Sequence, residues 1–516
     1  MKTLRSYVLG NWHEATTGFI PLFDPATGQQ IARASSDGVD FQAVLDFART
    51  RGGPALRGMT FAERGAMLKA LSRALKAHMD ELLDLSRRNN GTTKGDGLFD
   101  VAGASGTLAY YAGLARGLGD RRAQPDGDGV QLARTEGFWG QHLWVSRRGV
   151  AVHINAFNFP AWGFAEKAAC ALLAGVPVIT KPATSTALVT ERCVEILLEA
   201  GVLPEGALQM VCGRTGDLLD RLGPQDVVAF TGSADTARAL RANPGIAAAN
   251  TRFNVEADSL NAAVLAPGVG PGSATWDLFV RDVVREMTQK AGQKCTAVRR
   301  ILVPTSSLDG SVGALSEALG NVVTGNPADP SVTMGPLVNS SQLEDAEAGV
   351  RELTETASVV HGTGERIVGA GDGYYFGPTL LRADDPHNAG RVHDREVFGP
   401  VATLLPYDGD AADAADLVAL GGGTLVTSLY GDDPDWLEAF LTQGAEATGR
   451  IYIGSEGSAG DAPGSGVALP QSLHGGPGRA GGGEELGGLV GLRLYQQRIA
   501  VQGERSLVER LTGVSD

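Results

Sequence analysis

The spacing of apolar residues switches repeatedly along the chain from Val150 onward. Short apolar runs at 149–154, 176–181, 208–212 and 226–231 predict buried strands. Between them, 163–173, 186–199 and 215–222 place apolar side chains at helical spacing. Thr186 is a candidate helix cap, and Gly201 stands just beyond that helix. Strands alternating with helices at this spacing predict an α/β fold built on a parallel, doubly wound sheet with right-handed crossovers. A second α/β region follows Glu256. There 261–265 and 297–303 read as strands flanking an amphipathic helix, and the alternation continues to about residue 470.

Two segments break this pattern. Residues 131–145 alternate aromatic and polar side chains, interrupted by Gly137 and Gly140, and predict an exposed hairpin. Residues 475–488, G-G-P-G-R-A-G-G-G-E-E-L-G-G, have the composition of a flexible linker. They also carry Arg479, Glu484 and Glu485 and lead into no new domain, which favours an ordered loop near an active-site entrance.

A chain of 516 residues exceeds one hydrophobic core, so roughly two or three domains are expected. The formal net charge of −15 argues against a nucleic-acid partner, although a local Arg/Lys cluster could still hold a small polyanion. The four cysteines, Cys170, Cys193, Cys212 and Cys295, show no paired or zinc-like spacing. The first three lie in or beside apolar runs and read as structural. The N-terminus lacks a long apolar signal core, and no run is long enough to span a membrane. The expected setting is a reducing cytoplasm.

Cys295 differs from the other three. It sits in the segment 286–300, E-M-T-Q-K-A-G-Q-K-C-T-A-V-R-R, in a polar turn after the predicted helix. Lys294, Arg299 and Arg300 stand close in sequence, and nearby positive charge favours the reactive thiolate. A thiolate is suited to attack on a carbonyl carbon. Asn158, in I-N-A-F-N-F-P, is a candidate amide donor to a developing oxyanion. Glu256, in N-V-E-A-D-S-L-N, closes a predicted strand and is a candidate base. These residues are far apart in sequence, so only the fold can bring them together.

F-N-F-P, K-P-A (181–183), F-T-G-S (230–233), G-Q-K-C (292–295) and E-V-F-G-P (396–400) occur in this order. That order resembles the NAD(P)-dependent aldehyde dehydrogenase superfamily over nearly the whole chain. The resemblance implies a Rossmann-like cofactor domain (1–129 and 150–257), an α/β catalytic domain (258–474) and a small β oligomerisation arm (130–149 and 489–503). It pairs the predicted hairpin with a strand near 492–499, although a surface hairpin without a partner is the alternative. It implies a homo-oligomer, a dimer in the first instance.

No G-x-G-x-x-G follows a strand. By resemblance, Thr231, Gly232 and Ser233 instead open a helix beneath the cofactor pyrophosphate; alone, this motif reads as a plain strand-to-helix turn. Lys181 and Thr184 match the ribose edge. A neutral Thr184 beside Lys181 favours NADP, with NAD possible, because a carboxylate there would repel the extra phosphate. Glu396 and Phe398 match positions that hold the nicotinamide ribose and ring, and Phe157 precedes the oxyanion asparagine. A salt-bridged turn with a core aromatic is the simpler reading of Glu396 and Phe398.

Ala257 and Asp258 replace the superfamily's usual glycine pair, and Phe157 its common tryptophan. With these departures, N-A-F-N-F-P, E-A-D-S-L-N, A-G-Q-K-C-T-A and H-G-G-P-G-R-A-G-G-G-E-E-L-G-G together resemble one narrow branch of that superfamily, which implies oxidation of a CoA thioester bearing a distal aldehyde in aerobic aromatic catabolism. Some members of that branch carry a further hydratase-type domain, which is not expected in a chain ending at Asp516. His474 and Arg479 are open between contacts to CoA phosphates and plain surface or loop-anchoring roles. The implied chemistry is thioacyl formation on Cys295, oxyanion stabilisation by Asn158, hydride transfer to the nicotinamide and hydrolysis by water activated by Glu256, with no metal. Release of the thioester to free CoA, and a non-catalytic scaffold, are the alternatives; retention of Glu256 weighs against the first.

Overall fold

Strand Ala151–Ile154, every residue of it buried, is the third strand of a seven-stranded sheet in the computed structural model, which describes residues 1–135, 137–369 and 371–513. The strands run in the order Arg252–Glu256, Val227–Thr231, Ala151–Ile154, Val178–Lys181, Leu208–Met210, Ser6–Val8 and Asn11–His13. The first five are parallel, and the N-terminal hairpin adds the last two antiparallel. Near-continuous apolar strands follow from this arrangement, since helices cover both faces of a parallel sheet. The predicted helices appear as Trp162–Ala174 and Ala187–Glu199.

The region 215–222 departs from expectation. It forms only the 3₁₀ turn Leu218–Arg221. Gly216 takes φ +49° and packs so closely that a Cβ there would lie 2.5 Å from the Phe41 ring, and Gly223–Pro224 follow at once. Too few residues separate these breakers for a helix to propagate. Before residue 131, where the apolar pattern predicted no elements, helices Phe61–Ala77 and Lys94–Leu118 pack against Trp162–Ala174, and Met79–Asn90 packs against Lys94–Leu118 and Ala187–Glu199. The first starts with a capping box: Thr60 Oγ1 accepts from Glu63 N, and Glu63 accepts from Thr60 N.

The chain enters a second seven-stranded sheet just after Glu256. Its order is Ser358–His361, Thr379–Arg382, Val401–Tyr407, Arg300–Pro304, Ala262–Leu265, Thr427–Tyr430 and Ile451–Gly454, parallel except for the first strand. The strand expected at 297–303 begins only at Arg300. Residues 297–299 are held instead by Asn261, whose Nδ2 donates to the Cys295 and Ala297 carbonyls and whose own carbonyl accepts from Arg299 and Arg300.

Strand Trp139–Ser146 pairs antiparallel with Gln496–Gly503 over eight positions. Leu492 belongs to the 3₁₀ segment Gly488–Tyr495, so the pairing starts later than 492–499 suggested. The Gly-rich run is ordered: Leu473–Gly475 pairs with Glu484–Leu486, and a tight turn at Gly478–Ala480 joins them. Gly481, at φ +108°, lies against the first sheet; a Cβ there would stand 2.4 Å from the Val255 carbonyl oxygen.

Candidate active site

Helix Ala274–Thr288 ends in a turn of left-handed backbone. Lys290 and Ala291 take φ +55° and +54°, and Gly292 φ +67°. Two consecutive side-chain-bearing residues in this region store strain, which the surrounding packing must hold. A Cβ at Gly292 would lie 2.2 Å from the Gly399 carbonyl oxygen. This turn presents Cys295, which keeps partial access to solvent, at the meeting point of two cavities.

The charges expected to activate Cys295 are turned elsewhere. Lys294 pairs with Glu286 and donates to Gln289 Oε1 (2.8 Å). Arg299 pairs with Glu396 (3.3 Å) and donates to the Gly399 and Gly292 carbonyls. Arg300 is wholly buried and donates to the carbonyls of Leu260, Leu417 and Val418. The thiol is therefore pushed up, first by burial and then by the charge and hydrogen bond of Glu256, with Lys294 opposing only weakly. This direction opposes the thiolate that its sequence neighbours suggested.

Glu256 closes strand Arg252–Glu256 beside Cys295, and His474 completes the cluster. His474 is not a surface residue. It is buried, with Nε2 3.2 Å from Glu256 Oε1 and 3.8 Å from Cys295 Sγ. Burial acts to raise the Glu256 carboxyl, but His474 outweighs it and holds Glu256 below its ordinary value. Burial acts to lower His474, and Glu256 outweighs that in turn, so the imidazole is raised. The sequence signal for His474 was one polar residue opening a glycine-rich run, which does not separate a buried site from a loop anchor.

Beneath this cluster lie Glu166, Lys167 and Glu485. Lys167 Nζ stands 3.2 Å from Glu166 Oε1 and 3.0 Å from Glu485 Oε2. Oxygens of Glu166, Glu256 and Glu485 come within 4.8 Å of one another, close enough to suggest a cation site, but the Lys167 ammonium already supplies the positive charge. Burial raises Glu166 to about 7 although Lys167 opposes it. None of these three was singled out as a site residue from the sequence, because paired buried charges are scattered there among ordinary helix and loop positions.

Asn158 lies in the loop before helix Trp162–Ala174 and lines the pocket with Cys295. Asn90 Nδ2 donates to its carbonyl (3.3 Å), and Thr186 Oγ1 to that of Phe157 (3.0 Å), which fixes the loop. The pocket is narrow, walled by Phe99, Phe159, Trp162 and Ala468. Phe99, Trp162 and Ala468 also line an outer apolar groove of ≈ 580 Å³ along helix Lys94–Leu118.

On its other side Cys295 faces a cleft of ≈ 930 Å³. Phe157, Thr231, Gly232, Ser233, Glu396 and Phe398 all line it. Ser233 caps helix Ala234–Arg241 by accepting from Thr236 N, and Asp258 accepts from Ala234 N (3.0 Å). Phe157 and Phe398 meet edge to face at 5.7 Å. Glu396, raised to about 7 by burial despite Arg299, also accepts from Ser259 N (3.1 Å). Lys181 and Thr184 do not line the cleft themselves; they flank Ala183, which does. Arg479 lines this cleft and donates to the Asp394 carbonyl (2.7 Å). The cleft fits a dinucleotide in size, in its four lining arginines (Arg238, Arg241, Arg395 and Arg479) and in the buried Thr231 hydroxyl, which has no protein partner.

Cys170, Cys193 and Cys212 are buried and unpaired, and burial raises all three thiols, as structural cysteines require. Among the described residues no helix is long and apolar enough to cross a membrane.

A thiol, a carboxylate and an amide are thus set between a dinucleotide-sized cleft and a narrow apolar pocket. The aldehyde dehydrogenase family model matches residues 12–492, and the chain belongs to that family. The family takes a nicotinamide cofactor. The chain is 45% identical over 478 residues to 3,4-dehydroadipyl-CoA semialdehyde dehydrogenase of Aromatoleum evansii, covering 92% of this chain and 93% of that protein. It is 27% identical to the succinate-semialdehyde dehydrogenase [NADP(+)] GabD of Escherichia coli, over 81% and 83% of the two chains. Among solved structures it resembles lactaldehyde dehydrogenase of Escherichia coli, with a TM-score of 0.83 at 25% identity, over 97% and 99% of the chains.

Proposed function

We propose that the protein oxidises a CoA-linked semialdehyde, 3,4-dehydroadipyl-CoA semialdehyde in the first instance, to the carboxylic acid in aerobic benzoate catabolism, with NADP as cofactor. The observation that carries the chemistry is that Cys295, Glu256 and Asn158 line both the cofactor cleft and the apolar pocket. The likeness to the Aromatoleum evansii enzyme supports the substrate. The outer groove supports a long, narrow tail on that aldehyde, since it continues the pocket to the surface. The neutral Thr184 beside Lys181 at the cleft edge supports NADP.

Cys295 Sγ attacks the aldehyde carbon and loses its proton to the adjoining Glu256 carboxylate. The Asn158 amide and the Cys295 backbone N–H hold the developing oxyanion. When bound, the nicotinamide supplies the hydride acceptor. Glu256, having released the thiol proton to solvent through the cleft, then takes a proton from water, whose oxygen displaces the thiolate from the thioacyl enzyme. Residues 1–129 and 150–257 serve as the cofactor domain, 258–474 as the catalytic domain, and 130–149 with 489–503 as the arm of a homodimer. The unpaired cysteines support a reducing, cytoplasmic setting.

Purified protein incubated with the CoA-linked semialdehyde and NADP tests this reading. Formation of NADPH and free carboxylate, unaffected by added CoA, is expected. A new acyl-CoA thioester appearing only when free CoA is supplied would instead favour the acylating route. Faster turnover with the same aldehyde lacking CoA would remove the substrate assignment.

A further inference from the structure

His474 Nε2 faces two acceptors. Glu256 Oε1 lies 3.2 Å away and Cys295 Sγ 3.8 Å away, and acid-base atoms of the three residues lie within 4.8 Å of one another. A carboxylate facing Nε2 requires that this nitrogen carry a hydrogen, since two lone pairs would otherwise oppose each other. Nε2 is therefore a donor and not the base that receives the thiol proton. The hydrogen-bond contact of Nε2 is with Sγ, while Glu256 Oε1, 3.2 Å from Nε2, carries no hydrogen bond and lies beside the thiol.

We propose that His474 is a further catalytic residue, whose Nε2–H stays on Cys295 Sγ as the thiol ionises and so stabilises the nucleophilic thiolate. The step balances within the cluster. The S–H bond breaks, its electron pair stays on Sγ, and the proton goes to a Glu256 oxygen. The carboxylate becomes a neutral acid and a weaker acceptor, while Sγ becomes the charged one. The same N–H then favours sulfur, because hydrogen bonds to charged acceptors are the stronger ones. No net charge enters or leaves the buried site, which avoids the cost of isolating an ion there.

The surroundings keep this donor in place. His474 opens the hairpin Leu473–Gly475 / Glu484–Leu486, directly opposite Glu485, which Lys167 neutralises. The ionisable groups around His474 are Glu256 from the first sheet, Glu166 and Lys167 from helix Trp162–Ala174, Glu485 across the hairpin, Cys295, and Arg450. Glu256 and Glu166 favour a positive imidazole, and Arg450 opposes it. Lys294, nearest in sequence to Cys295, is held by Glu286, which leaves His474 as the donor within reach of Sγ.

The inference rests on Cys295 being the nucleophile but not on which aldehyde is bound. Its test is therefore alkylation of the cofactor-free protein by iodoacetamide, followed over pH by mass spectrometry at Cys295. Thermal unfolding and NADP binding on the same samples report folding. In H474F the alkylation midpoint is expected to rise by about one pH unit or more, which lowers the rate near neutrality roughly tenfold. H474Q keeps an N–H donor and is expected to fall between H474F and the parent. If H474F does not fold, the same ordering of H474Q relative to the parent carries the test. A folded H474F or H474Q with the parent's alkylation profile would overturn the proposal. A wrong substrate assignment would leave all of these profiles unchanged.

Discussion

Lys294 immediately precedes Cys295 in the chain, yet its ammonium turns away from the thiol and pairs with buried Glu286. The nearest basic neighbour in sequence is thus engaged elsewhere, and the surroundings of Cys295 are set by groups from other elements. The thiol itself lies among Glu256, His474 and the Asn158 loop.

Cys295→Ala should abolish aldehyde oxidation while leaving the fold and cofactor binding intact, because the side chain faces two cavities. Steady-state NADPH formation together with NADP binding by fluorescence checks this. Appreciable turnover by the purified variant would move the nucleophile elsewhere.

Glu256→Gln should slow hydrolysis of the thioacyl enzyme, since an amide cannot take a proton from water. Where acylation stays fast, stopped-flow traces should show a burst of NADPH close to stoichiometric with sites, followed by slow turnover. The variant also reports the ion pair. The folded carboxyl lies below its ordinary value of 4.5. Its stabilisation is therefore fully present above that value and is lost as pH falls through the lower folded value. The melting temperature of Glu256→Gln should accordingly fall less steeply on acidification than that of the parent.

Lys167→Met should destabilise the protein by roughly 3–5 kcal/mol at neutral pH, because Glu166 and Glu485 would lose their buried counter-charge. Without the ammonium the Glu166 carboxyl should be raised further. A raised carboxyl favours the folded state at low pH and opposes it as pH climbs, so the defect should be smallest near pH ~5 and grow toward pH ~8. Melting curves across that range decide it; a defect of constant size would mean that packing of the stem, not charge, is lost.

Thr184→Glu should shift cofactor preference toward NAD. A carboxylate about 4 Å from the 2′-phosphate of NADP at effective dielectric ~20 costs roughly 4 kcal/mol before relaxation and screening. A third of that moves the preference roughly tenfold. The ratio of kcat/KM for NADP and NAD in the two proteins is the measurement. Because Ala183 lines the cleft and Thr184 only flanks it, an unmoved ratio would assign selectivity to another part of the wall.

Much of the architecture was legible in the order of residues. Strands such as 149–154 and 226–231 are buried on both faces, so their apolar runs are continuous and announce themselves, and Cys295 was marked by a polar turn in which a core cysteine would be out of place. Period alone could not distinguish a helix from a single turn at 215–222, where Gly216 and Gly223–Pro224 leave no room to propagate. Nor could it decide where the charges go. Sequence neighbours at a tight turn point in different directions, so Lys294, Arg299 and Arg300 serve Glu286, Glu396 and backbone carbonyls. Only the tertiary structure carries His474 and Glu485 from the glycine-rich hairpin to Glu256 and Lys167, because electrostatic contacts act through space and the residues that make them are separated by hundreds of positions along the chain.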